Sequence, residues 1–81
     1  MNLYAISQSI NNGYDTFSDA VVAAENEADA RLIHPSGRAW SEHIRHDYDD
    51  WAKSEDVVVE LIGVAVDGTP AGVICASFHA G

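Results

Sequence analysis

The chain has 81 residues, 47% of them apolar, and its 13 acidic side chains face only four basic ones, for a formal net charge of −9. That length has room for one domain, 1–81, and that apolar share supports a packed core instead of a disordered coil. The charge argues against non-specific binding to nucleic acid and to anionic membranes, both of which need lysine and arginine, and it suits a cationic partner.

Residues 2–10 place Tyr4, Ile6 and Ile10 on one parity and Ser7 and Ser9 on the other, the pattern of a half-buried strand. Asn11-Asn12-Gly13 follows as a turn, since these residues tolerate positive φ. Residues 16–24 give a second strand, antiparallel to the first. Asn26 is a suitable N-cap, with Glu27 and Asp29 in the first turn of a short helix over 27–33. Ala28 and Leu32 share a face of it, and Pro35 ends it. After a loop at 36–40, Ser41 is placed to cap a second helix over 42–52. Trp40, Ile44, Tyr48 and Trp51 form its apolar stripe. Val57–Val66 is a β-branched strand, Asp67-Gly68 a hairpin signal, and residues 72–79 the last strand. The expected fold is α+β: a four-stranded antiparallel sheet of order ββααββ, built from two hairpins, with one or two helices on one face.

Cys75 is the single cysteine, so no internal disulfide forms, and a free thiol fits a reducing compartment. The first residues carry no basic and apolar leader, and no apolar run approaches membrane-spanning length, so a cytoplasmic protein is expected.

Catalytic and metal motifs are few. His43 and His46 are three apart, and His34, His79 and Cys75 could complete a zinc set, but the spacing fits no standard zinc pattern. Cys75, inside an apolar strand, reads as a small core residue. No nucleophile elbow, zinc-hydrolase helix, phosphate loop or dinucleotide fingerprint is present, so neither an enzyme nor a bound cofactor or metal is expected.

The acidic residues are more informative. Glu42, Asp47, Asp49, Asp50, Glu55, Asp56 and Glu60 crowd one stretch, with Glu25, Glu27 and Asp29 as a second group. Carboxylates spaced along helix faces and strand edges approximate the charge spacing of a nucleic-acid backbone. Such a surface could occupy the basic channel of a nucleic-acid-binding protein, with Trp40 or Trp51 as an anchor. The plain alternative is that the carboxylates only solubilise the chain and the aromatics are core. The loop Asn11, Asn12, Tyr14, Asp15 could instead hydrogen-bond and stack on a small nucleotide. The last residues, 76–81, would lie beside it if the outer strands pair accordingly.

The segments Asn12-Gly13-Tyr14-Asp15-Thr16, Val21-Val22-Ala23-Ala24-Glu25, Ala30-Arg31, Ile33-His34-Pro35, Ile62-Gly63 and Val73-Ile74-Cys75-Ala76-Ser77-Phe78 together resemble small phage and prophage proteins. The resemblance spans most of the chain except 36–56 and brings no catalytic residues. In size, acidity and lack of enzyme motifs the chain is similar in kind to anti-CRISPR and other anti-defence inhibitors, some of which mimic DNA. The resemblance implies a phage inhibitor in the host bacterial cytosol that binds a host defence complex, without touching nucleic acid or membrane itself. Its site would be Glu42, Asp47, Asp49, Asp50, Glu55 and Asp56 with Trp40 or Trp51. The alternatives are a sponge for a signalling nucleotide using Asn11, Asn12, Tyr14 and Asp15, and a structural or regulatory phage protein. With only Arg31, Arg38, Arg45 and Lys53 as cations, phosphate capture is harder.

Overall fold

The computed structural model describes residues 1–10, 15–37, 51, 52 and 54–79. Four strands form one antiparallel sheet: β1 (Asn2–Ser7), β2 (Thr16–Ala24), β3 (Val58–Val64) and β4 (Gly72–His79). Their order across the sheet is β3-β1-β2-β4. A short helix, α1 (Glu27–Arg31), follows β2, and a 3-10 turn (Ser54–Asp56) precedes β3.

The central pair is the hairpin that the alternation of residues 2–10 and 16–24 foretells. Tyr4 pairs with Val22 and Ile6 with Ala20, and all four are buried on one face. Ala24, Ala30, Trp51 and Val57 close over that face, with Phe17, Ile33, Val59 and Val73 packed at its margin. Trp51 and Ile6, each with no exposed surface, are among the largest side chains in this core. The opposite face, with Ala5, Val21, Asp19, Cys75 and Ser77, holds only a shallow depression.

The first strand is shorter than expected. It ends at Ser7, and Ile10 is 69% exposed. Gln8 explains the stop. Its amide donates to the Ser18 carbonyl at 3.2 Å, and its buried carboxamide donates to the Phe17 carbonyl and accepts from the Ile10 amide, both at 2.9 Å. A side chain thus replaces the next rung of the ladder where β2 bulges between Phe17 and Asp19.

The first helix is also shorter, five residues and not the seven of 27–33. Asn26 caps it, its Oδ1 accepting from the Asp29 amide at 2.8 Å. Its core-facing residue is Ala30, while Ala28 and Leu32 are exposed. A one-turn helix can bury a single position, so the i, i+4 pairing of Ala28 with Leu32 has no stripe to belong to. The chain then turns at His34-Pro35-Ser36-Gly37, where the Gly37 amide donates to the His34 carbonyl at 2.9 Å and Gly37 takes φ +84°. The helix expected over 42–52 lies outside the described residues, apart from Trp51 and Ala52 at its end.

The largest departure is at Asp67-Gly68. A turn does form there, but β3 and β4 do not pair as a hairpin. β3 adds to β1 and β4 adds to β2, so residues 65–71 run across the end of the sheet from one edge to the other. The Ala65 amide donates to the Met1 carbonyl at 2.9 Å, fixing this strap to the start of β1. A turn signal sets only the local reversal, and the central hairpin already occupies the middle of the sheet. β3 runs two residues shorter at its end and one at its start than Val57–Val66.

Candidate functional site

The acidic side chains in the described residues all face solvent: Asp15, Asp19, Glu25, Glu27, Asp29, Glu55, Asp56, Glu60 and Asp67. Two groups of them are drawn together by one cation. Arg31, at the end of α1, donates through Nη1 to the Ser54 carbonyl at 3.1 Å and to the Val57 carbonyl. Its Nη2 lies 3.9 Å from Glu27 Oε1. Glu27 on α1 is therefore brought towards the 3-10 turn that carries Glu55 and Asp56, with the guanidinium between them, while Asp29, two residues from Arg31, lies on another side of the helix beside Leu32 and Ala71. The clamp is local in origin: helix geometry brings Glu27 and Arg31 onto one side at i, i+4, and Arg31 then reaches the carbonyls at both ends of the 3-10 turn.

The guanidinium keeps its positive charge in these bonds, because the carbonyls that accept from it are neutral, and the carboxylates around it still outnumber it. Arg31 is the one arginine or lysine among the described residues, and its Nη1 donates to two backbone carbonyls while Nη2 forms a long ion pair with Glu27. What surrounds it at the surface is three carboxylates, Glu27, Glu55 and Asp56, on two adjacent turns. Such an arrangement can attract a cationic surface over a Debye length and hold it by charge-assisted hydrogen bonds.

Of the expected partner-binding residues, Glu55 and Asp56 are exposed on this patch. Trp51 is not available to a partner, because it is fully buried against the sheet. It is a core residue, and the anchor role assigned to it from sequence is corrected accordingly. Trp40, Glu42, Asp47, Asp49 and Asp50 lie outside the described residues. Sequence reading missed Arg31 as the organiser of the site. Its signal was present, a lone arginine four residues after Glu27 at a helix end, but its distant carbonyl partners are visible only in three dimensions.

The alternative ligand loop is placed less fully. Asn11, Asn12 and Tyr14 lie outside the described residues. Asp15 is exposed with φ 59°, a left-handed conformation that aspartate tolerates better than most residues. β4 does pair with β2, with His79 opposite Thr16, so the end of β4 lies beside the start of β2. Phe17 and Phe78 pack there with ring centroids 4.8 Å apart and their planes tilted by 57°.

Of the candidate zinc residues, His43 and His46 lie outside the described residues. His34 is buried, and its Nδ1 accepts from the Ser36 amide at 3.1 Å and lies 2.8 Å from the Ser36 hydroxyl. Its ring meets Phe17 edge-on at 6.0 Å. Cys75 is exposed, not a core residue, and lies across the sheet from His34. Among the described residues no three His, Cys, Asp or Glu side chains converge on a metal position. No described helix is long and apolar enough to cross a membrane. The clefts on the helix side are shallow and mostly apolar, one of about 290 Å³ between Leu32, His34 and Val73.

Comparison with protein-family models, with curated proteins and with solved structures finds no match to this chain.

Proposed function

We propose that this protein is a non-catalytic binding module that lays its acidic face onto the basic, nucleic-acid-binding surface of another protein. The observation that carries this reading is the Arg31 clamp, which joins the helix bearing Glu27 to the 3-10 turn bearing Glu55 and Asp56, so that three exposed carboxylates surround one guanidinium. The partner class follows from the charge: a groove built to hold phosphates presents lysines and arginines at a spacing that carboxylates on adjacent turns can meet. On the resemblance to small phage proteins, the partner is a host defence complex in the bacterial cytosol, and the protein acts as an anti-defence inhibitor of the anti-CRISPR kind. Glu42, Asp47, Asp49 and Asp50, with Trp40 as an anchor, are the further residues this reading assigns from the sequence, and they lie outside the described residues. No cofactor is needed for this role.

A nucleotide sponge finds less support. Arg31, the one arginine or lysine among the described residues, donates through Nη1 to the Ser54 and Val57 carbonyls and does not line the shallow clefts described above.

The test is displacement of target DNA from purified RNA-guided effector complexes, at low and high salt. The wild-type protein should displace DNA from at least one complex, less well as salt rises. The double variant Glu55→Lys with Asp56→Lys should lose at least about tenfold in potency while keeping its circular dichroism. A variant as potent as wild type would sink the electrostatic reading.

A further inference from the structure

β3, like β4 at the other edge, leaves much of its apolar surface exposed. β1 pairs with one of its sides and it forms an edge of the sheet. Val58, Leu61, Ile62 and Val64 on this strand, with Val66 beyond it, are between 50% and 79% exposed. Glu60 is its one charged residue, and it holds no lysine or proline. An edge strand presents a row of unpaired N–H and C=O groups that templates another strand, and proteins ordinarily blunt it with charge or proline. Together these side chains leave on the order of several hundred Å² of apolar surface exposed along this edge, counting both faces of the strand, the scale at which apolar surface marks an interaction site.

We propose that β3 pairs antiparallel with β3 of a second copy across a two-fold axis, so that the two four-stranded sheets become one continuous sheet. The bulge in β3 fixes the register. Val59 and Leu61 pair with Ile6 and Tyr4 and share their covered face. Ile62 is the extra residue between Leu61 and Gly63, which returns Val64, opposite Asn2, to that same side. A two-fold axis perpendicular to the sheet keeps both covered faces on one side. The register that respects the alternation and the bulge sets Leu61 against its own symmetry mate and Val59 against Val64 of the second copy. All three pairs on that side are apolar. Glu60, on the opposite side, meets the bulged Ile62-Gly63 of the second copy. A register centred on Glu60 would instead set like charges directly opposite, which is destabilising.

A second copy suits this strip because both partners then supply the same apolar strand and the same unpaired backbone row, as a two-fold interface requires. A common interface takes about 10% of a small protein's surface, roughly 500 Å² of the 4974 Å² exposed here. One edge strand with its exposed valine, leucine and isoleucine side chains supplies an area of that order. The dimer therefore belongs to the weak, concentration-dependent class. Each copy carries a net charge of −9, so added salt strengthens the dimer by screening repulsion, opposite to its effect on the acidic face.

Sedimentation equilibrium across the micromolar range, at low and high salt, tests the association. Wild type should pass from monomer to dimer, more readily at high salt. Leu61→Lys, at a site 60% exposed, should keep its circular dichroism and weaken the dimer at least about tenfold. The register is read in a Cys75→Ser background: Leu61→Cys should oxidise to a disulfide-linked dimer, because facing side chains across a strand pair lie within bonding reach. Val58→Cys, far from its own mate in this register, should link much more slowly. A wild-type monomer at every concentration and salt overturns the proposal, as does a dimer that Leu61→Lys leaves intact. Equal linking of Val58→Cys and Leu61→Cys overturns the register.

Discussion

Arg31→Ala should be one of the most damaging changes to a part-exposed side chain in this protein. Removing the guanidinium breaks two charge-assisted hydrogen bonds, to the Ser54 and Val57 carbonyls, and a long ion pair to Glu27. Hydrogen bonds to charged groups each contribute about 1.5–3 kcal/mol net, but the arginine side chain is 32% exposed and water can reach part of the vacated site. The two bonds share one nitrogen, so their effects do not simply add. A loss of about 2–3 kcal/mol is expected, from a total stability on the order of 5–10 kcal/mol. The ion pair with the exposed Glu27 contributes at most about 0.5 kcal/mol. Urea unfolding followed by tryptophan fluorescence reads this directly, since the core contains Trp51. With an m-value near 1 kcal/mol/M, the midpoint should fall by about 2–3 M for Arg31→Ala and by less than about 0.5 M for Glu27→Ala. If Arg31→Ala costs no more than Glu27→Ala, the carbonyl clamp is not what joins α1 to the 3-10 turn.

Trp51→Ala should cost about 3–5 kcal/mol, enough to leave a domain of this size largely unfolded, with Trp51→Phe intermediate; thermal melts by circular dichroism would show it. Asn26→Ala removes the cap on the Asp29 amide and should cost about 1 kcal/mol, a melting shift of about 4–8 °C, whereas Asn26→Asp should restore most of it.

Much of the sheet could be read from the chain because its central hairpin is local and half-buried. The alternation of Tyr4 and Ile6 against Ser7, and the run from Thr16 to Ala24, give both inner strands, β2 with both ends correct. Asn26 announces the helix because capping chemistry is a property of a few adjacent residues. What was not legible depends on pairing at a distance. Asp67-Gly68 reports a reversal but carries no information on which edge each flanking strand joins. Cys75 reads as core because an unbroken alternation would put it beside Val73. The bulge at Ile74 instead leaves Val73 on the covered side and turns Cys75 to the open one. The exposure of β3 was likewise hidden, since a β-branched run looks the same at an edge as in the middle of a sheet. In the site, the carboxylates were visible in the sequence, but the contact between their two groups was not, because it passes through carbonyls that every residue possesses.

The strap at 65–71 has a consequence for how the sheet assembles. Bringing β3 back to β1 closes a loop of roughly fifty residues, the largest entropic step in the topology. Once that is done, the start of β4 is tethered only three strand spacings, about 14 Å, from its place beside β2. Its effective concentration there is then set by a short tether, in the millimolar range or above. Capture of β4 becomes the rapid final step, and the two outer strands, though they never touch, fold as consecutive halves of one event.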